Sequence, residues 1–343
     1  MRPQRTTGLT AEQFAELCLL VRDATGNWQN PRGRPRALTL GQAVKATTMY
    51  FKNNVTQELI GELLNVSQPT ISRVIAELEP VIAAVLADHV PDLTEAADGR
   101  VTLVDGTLAP CWSWADAPEL WSGKHKTTGH NHQVAADLDG RLLHVSDPLP
   151  GNVHDSRAVR ATNLATRIDT ANSIGDKGYL GTGLLTPFRK PPGRELLPWQ
   201  QEFNKQVNSL RAPIERTIAN LKTWRVLHTD YRRPRESYPS AFNAVRACIS
   251  SNWLMNKPPW LTMSWSSRAI RSLSLLTASA AASAANASCS RWRRPAHSLN
   301  SRARNRNRRT VNPSTNGSTN IKPTNMAAVI ASTPDRCTVL ATT

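Results

Sequence analysis

The chain has 343 residues, with 42 Lys and Arg against 26 Asp and Glu, a net charge of +16. That length holds one large core or two smaller ones, and the charge calls for an anionic partner such as nucleic acid. No apolar run approaches the ~20 residues that span a bilayer, so neither a transmembrane helix nor a signal peptide is expected; the five scattered cysteines, with no CxxC pair, argue against zinc or redox chemistry and for a reducing cytoplasm.

The charge is unevenly spread. From Lys257 onward there are 13 basic residues against Asp335 alone, so residues 1–256 hold 29 basic and 25 acidic residues, a net +4. Most of the basicity belongs to the tail.

Thr10-Ala-Glu-Gln13 and Thr39-Leu-Gly-Gln42 read as capping boxes, each opening a helix with an apolar stripe. Between them lies the basic segment Asn30-Pro-Arg-Gly-Arg-Pro-Arg36, whose Arg34 and Arg36 suit a narrow minor groove or serve as a plain basic linker. From Thr56 the spacing predicts a helix-turn-helix over about residues 56–82. Leu59, Ile60, Leu63 and Leu64 form one short apolar face, Asn65-Val66-Ser67 the turn, and Ile71, Val74, Ile75 and Leu78 the second face. Ser67 is placed to cap the second helix. Gln68, Thr70, Ser72 and Arg73 then lie on its exposed N-terminal part, where such helices meet base edges. The second helix is expected to run to about Ala87, and Pro91 with the acidic run Asp92 to Asp98 reads as a linker.

Composition changes at Gly99. Arg100 to Val104 alternates like a strand ending at Asp105-Gly106, which sets a carboxylate at a strand terminus. Gln133 to Leu138 and Arg141 to Val145 flank Asp139-Gly140, a hairpin signal. His125, His130 and His132 fall in a Lys-rich loop with Lys124 and Lys126 and read as phosphate contacts or surface residues. A helix is expected from about His154 to Leu164, with Asp155 either a metal ligand or the cap of that helix. Ser173 to Gly175 is a short strand leading into Asp176, and Leu184 to Phe188 is a candidate further strand. In Arg211 to Lys222, Glu215, Ile218, Ala219 and Lys222 share one helical face. Pro213 is expected in the first turn, which places Glu215 near a helix N-terminus with Arg211 just outside it.

Asp105 in VDGT, Asp176 in GDKGY and the spacing Arg211-x3-Glu215-x6-Lys222 together resemble the DDE transposases of bacterial insertion sequences, especially the branch related to eukaryotic harbinger elements. The resemblance runs from about Gly33 to Asn256 and includes GRPR, the helix-turn-helix, GNVHDS and Leu221 to Leu227. Many relatives carry a tyrosine three residues before the arginine, where this chain has Asn208, so a DNA contact credited to that tyrosine does not carry over.

The resemblance implies an α/β architecture: an RNase H-like mixed sheet with flanking helices, its first and fourth strands side by side, preceded by an all-α helix-turn-helix domain. It further implies a transposase that binds the terminal inverted repeats of its element and performs metal-dependent DNA cleavage and strand transfer. Asp105, Asp176 and Glu215 would be catalytic and hold two Mg²⁺ ions, with Mn²⁺ able to substitute and Asp155 an alternative ligand. Lys124, Lys126, Arg211 and Lys222 would hold phosphates. Double-stranded DNA, at element ends and target, would be the partner of a homodimer or larger assembly in the cytoplasm, associated with the nucleoid. A DNA-binding regulator and a nuclease without strand transfer are the competing functions. The expected domains are 1–90, helical and DNA-binding; 99–256, catalytic; and 257–343, a basic low-complexity tail expected to be disordered or an out-of-frame extension.

Overall fold

A computed structural model describes residues 3–29, 34–112 and 116–255. The basic tail expected from residue 257, and Asn30 to Gly33 of the basic segment, lie outside them.

The N-terminal half of the structure is helical: α1 (Pro3–Thr7), α2 (Ala11–Thr25), α3 (Leu40–Asn53), α4 (Gln57–Leu64) and α5 (Gln68–Val85). Both capping boxes form. The Gln13 and Gln42 backbone N–H groups donate to the hydroxyls of Thr10 and Thr39, whose own N–H groups donate to the two glutamine side chains. Helices α4 and α5 make the helix-turn-helix. Its turn needs a glycine at 61, because a Cβ there would stand 2.5 Å from the Val66 carbonyl. Ile71, Val74, Ile75 and Leu78 are buried as the periodicity predicts.

Three local expectations change. Leu59 and Leu63 are 43% and 56% exposed, because α4 rests on α3 and α5 along one edge only and buries Ile60. Ser67 occupies the N-cap position of α5, but its hydroxyl pairs with the Thr70 hydroxyl at 3.0 Å and caps no backbone donor. The acidic stretch taken for a linker is a helix, α6 (Leu93–Ala97), capped by Asp92 and burying Leu93 and Ala97, two apolar positions one turn apart that the acidic composition hides.

The sheet comprises β1 (Thr102–Pro110), β2 (Trp121–Ser122), β3 (Thr127–Asp137), β4 (Leu142–Val145), β5 (Leu149–Pro150) and β6 (Ser173–Ile174). β3 is its spine and pairs antiparallel with β1, β2, β4 and β5, the turn at Asp139-Gly140 closing the β3–β4 hairpin. β6 joins β1 in parallel, which makes the sheet mixed. The strand expected at Leu184 to Phe188 shrinks to one bridge between Leu185 and Ile174, since Gly183 before it and Pro187 after it interrupt the pairing.

Alternate residues of β1 and β3 face opposite layers. Val104 and Ala135 pack with Val159 and Leu164 of α7 (Asp155–Ala161) and α8 (Leu164–Arg167). Leu103, Val134 and Ala136 join the core of α9 (Pro198–Leu221) and α10 (Tyr238–Met255), which continues without a break into the N-terminal helices. This is an RNase H-like mixed sheet with flanking helices, preceded by a helix-turn-helix region. α10 packs on α5, and beside that contact Glu79 of α5 forms a buried ion pair with Arg233. Among the described residues no helix is long and apolar enough to cross a membrane.

Pro213 overturns a further expectation. It lies inside α9, so Glu215 is in the helix interior and not near its N-terminus. A proline there costs about 3 kcal/mol, but the helix buries Phe203 and Val207 before it and Ile214, Thr217 and Leu221 after it, and packing on both sides holds the helix through.

Candidate active site

Asp105 stands in the middle of β1 and not at its terminus. The parallel β1–β6 register pairs Leu103 with Ile174; Asp105 follows on β1, while Asp176 lies two residues past the end of β6, at the start of the turn Lys177–Tyr179, close enough for its charge to act on Asp105. Burial drives the Asp105 carboxyl above its ordinary range and the nearby Asp176 charge adds to that rise; the Arg211 guanidinium and the Gly106 N–H oppose it. Arg211 Nη2 lies 3.1 Å from Asp105 Oδ2, and its side chain is only 11% exposed. Asp176 accepts from the Gly178 N–H at 2.7 Å, which fixes its carboxylate over the turn that follows.

Asp155 does not cap its helix. The N-cap is His154, with Asp155 the first helical residue. Its carboxylate lies instead between Gly106 and Gly178, where added Cβ atoms would stand 2.7 Å from Oδ1 and 2.8 Å from Oδ2. Lys124 Nζ approaches Oδ2 at 3.4 Å. Both glycines are therefore needed for the close approach of Asp155 to the strand of Asp105 and the turn of Asp176.

Asp155, Asp176 and Lys124 line a cleft of about 420 Å³ together with Gly106, His125 and Asn131 among others. Glu215 is exposed, one turn beyond Arg211 on α9. Lys222 caps the C-terminus of α9. Burial, then the charges of Lys124 and Lys222, lower the His125 pKa, so the end of α9 is within electrostatic reach of the β2–β3 turn. Lys126 holds that turn with φ +53° and donates its N–H to the Ser122 carbonyl at 2.7 Å.

His130 and His132 are not in a loop. β3 begins at Thr127, and both are buried on it, where desolvation lowers their pKa values to about 4 and about 3. His132 Nε2 lies 2.8 Å from the Tyr238 hydroxyl and His130 stacks on the same ring, so both are core residues.

Sequence reasoning missed the floor of the site. The buried Tyr179 hydroxyl donates to Gln133 Oε1 at 2.7 Å, and Gln133 Nε2 donates to Asn131 at 3.2 Å. Burial and the charges of Asp155, Asp105 and Asp176 raise the Tyr179 pKa well above the usual phenol value, which keeps its proton in place as a donor. Sequence reading starts the strand at Gln133 and leaves Asn131 in the preceding loop, so the two polar residues, which share a face of β3, are not seen as one bracing pair.

Among the described residues, no group of three or more His, Cys, Asp or Glu side chains is placed to hold a metal ion. In kind, the carboxylate oxygens of Asp155 and Asp176, which line the cleft, and of Asp105 beside Gly106 fit a hard divalent cation; the His125 and His154 imidazoles also line the cleft. Arg211 and Lys124 supply positive charge to two of the three.

On the helix-turn-helix, Gln68 is exposed and its amide donates to Gln57 at 2.6 Å. Arg73 and Arg34 are exposed, while Thr70 and Ser72 are half-buried. The Arg36 guanidinium is held by both oxygens of Glu77, at 2.7 and 2.8 Å.

Residues 104–250 match the family model described as DDE superfamily endonuclease, and residues 36–88 match the helix-turn-helix of DDE superfamily endonuclease. The chain is 33% identical over 229 residues to a putative transposase for insertion sequence element IS112 of Streptomyces albus G, covering 64% of this chain and 83% of that protein. It is 29% identical over 100 residues to a probable transposase for insertion sequence element IS702 of Microchaete diplosiphon, covering 28% of this chain and 36% of that one. No solved structure matches at a significant level. These matches identify the superfamily and do not single out a harbinger-related branch. With its helix-turn-helix, its mixed sheet, and a relative matched over most of its length, the chain belongs to the DDE superfamily of transposase endonucleases.

Proposed function

We propose that this protein is a transposase that binds the inverted repeats at the ends of its element, cuts there and joins the freed ends to target DNA. The observation that carries the reading is the parallel pairing of β1 with β6, which brings Asp105 on β1 near Asp176 just beyond β6, with Arg211 of α9 bonded to Asp105. In this reading Asp105, Asp176 and Glu215 hold two Mg²⁺ ions, for which Mn²⁺ can substitute, and Asp155 is a further carboxylate for the same site. When bound, such ions activate the attacking hydroxyl and stabilise the leaving oxygen in an in-line displacement.

The chain's own residues do the rest. Arg211 opposes the rise that burial imposes on the Asp105 carboxyl, and Gly106 and Gly178 leave room for Asp155. Tyr179, through Gln133, braces the strand floor. Lys124 at the cleft, with Lys126 on the same turn and Lys222 at the end of α9, binds phosphates flanking the scissile bond. Residues 1–90 select the DNA through Gln68, Thr70, Ser72 and Arg73, and residues 99–256 cut it. Two ends must be brought together, which requires a dimer or larger.

The test is incubation of the full chain with Mg²⁺ and duplexes carrying the element's ends. Nicked and joined products are expected, both lost with chelator. Nicked products alone identify a nuclease, and binding without cutting identifies a regulator; either overturns the proposal.

A further inference from the structure

A groove of about 650 Å³ runs between the basic segment and the start of α5, lined by Trp28, Arg34, Arg36, Ser67, Thr70 and Arg73 among others. Residues 34–36 are tied to α5 through Arg36, and two further bonds link Trp28 and Gln29 to residues 36–38. Trp28 Nε1 donates to the Leu38 carbonyl at 2.9 Å, closing the loop on itself, and the Arg36 N–H donates to Gln29. The Arg36 guanidinium lies 4.0 Å over the Trp28 ring and forms two bonds to Glu77, in the middle of α5. A bidentate guanidinium–carboxylate pair fixes orientation as well as distance. Arg36 and Glu77 thus cancel each other's charge, and the groove presents Arg34 and Arg73 as its uncompensated cations, with the Ser67 and Thr70 hydroxyls between them.

Resting on the DNA-binding reading above, we propose that this groove is the binding site for one phosphodiester strand of duplex DNA beside the face entered by α5. Arg34 contacts its phosphates, while Arg73 on the α5 side of the groove reaches the bases. Arg36 is a positioning residue: it contacts Glu77 and Trp28, not the DNA, and holds Arg34 and Pro35 beside α5.

The two roles open to Arg36 predict opposite signs for one substitution. Glu77→Gln removes a negative charge from a surface that meets DNA. If Arg36 is a phosphate contact restrained by Glu77, that change frees it and tightens binding. If the pair positions the segment, the change loosens the segment and weakens binding.

The experiment is fluorescence anisotropy of the full chain on a short random-sequence duplex across a salt series. Glu77→Gln is expected to weaken binding severalfold. Arg36→Met, which keeps its stem over Trp28, should weaken binding by a similar factor, and the double variant no more than either alone. Arg34→Ala should lower the slope of log affinity against log salt by about one. Tighter binding by Glu77→Gln, or losses that multiply in the double variant, overturns the positioning role. An unchanged slope in Arg34→Ala overturns the strand site. Failure of the unsubstituted chain to bind any duplex overturns the DNA-binding reading itself and is seen before any variant is made.

Discussion

The buried ion pair between Glu79 and Arg233 offers the sharpest test of how the helix-turn-helix is fastened to the sheet. Their side chains are 2% and 9% exposed, one on α5 and the other in the segment leading into α10. Burial lifts the Glu79 pKa to about 7 even though Arg233 lowers it both by charge and by hydrogen bonding. Arg233→Met removes both lowering influences and leaves a carboxyl in the interior with no counter-charge. Breaking one partner of such a pair costs about 3–5 kcal/mol, which for a chain of this size lowers Tm by roughly 6–20 °C.

The sign with pH follows from the raised folded pKa. A carboxyl whose pKa is higher in the folded than in the unfolded state is tolerated below its unfolded pKa and penalised as pH rises through the folded one. The loss in Arg233→Met is therefore largest near pH 8 and shrinks toward pH 5, as Glu79 takes up a proton. Urea unfolding of both proteins at the two pH values measures it, and a second variant carrying Glu79→Leu with Arg233→Met should recover most of the stability at pH 8. An equal loss at pH 5 and pH 8 would refute the reasoning, because the cost would then be lost packing and not an uncompensated charge.

Asp105→Asn and Asp176→Asn are each expected to abolish Mg²⁺-dependent cleavage while gel-shift binding to the element's ends persists; residual cutting above background by either variant removes it from the site. Asp155→Asn, which keeps the shape but halves the acceptor character, should reduce cleavage at least tenfold, and unaltered turnover would show that its place between Gly106 and Gly178 is structural. Arg73→Ala should weaken binding to the element's ends more than to random duplex, since base contacts specify while phosphate contacts position; equal losses assign Arg73 to the backbone alone. His130, His132 and His144 are held neutral by burial, with pKa values of about 4, 3 and 4. Against an unfolded value of about 6.5 they add stability that is full at neutral pH and is lost as pH falls toward 4. Thermal unfolding should show Tm dropping between pH 6.5 and 5, and replacing His132 with Gln should flatten that drop.

What the sequence determined by itself is local. The capping boxes at Thr10 and Thr39, the turn between α4 and α5, the apolar stripe of α5 and the hairpin at Asp139-Gly140 each depend on residues within a few positions of one another, and each is read from their chemistry. Asp105 and Asp176 stood out as carboxylates in short apolar runs, and the family resemblance implied that their strands lie together.

The tertiary structure decided everything that depends on distant partners. The parallel pairing of β1 with β6 joins segments far apart in the chain, and no local preference encodes it. Pro213 ends helices by local rules, yet α9 continues through it because both flanks are packed. His130 and His132 look like surface histidines beside Lys124 and Lys126 until β3 is seen to begin at Thr127 with Tyr238 against them. Arg36 reads as one more basic residue, and only the fold brings Glu77 to it. Asp155 could have capped its own helix, but His154 takes that position, and Gly106 and Gly178 open the space into which its carboxylate turns. In each case the deciding energy comes from burial or from a partner brought by another element, and neither is present in the neighbouring sequence.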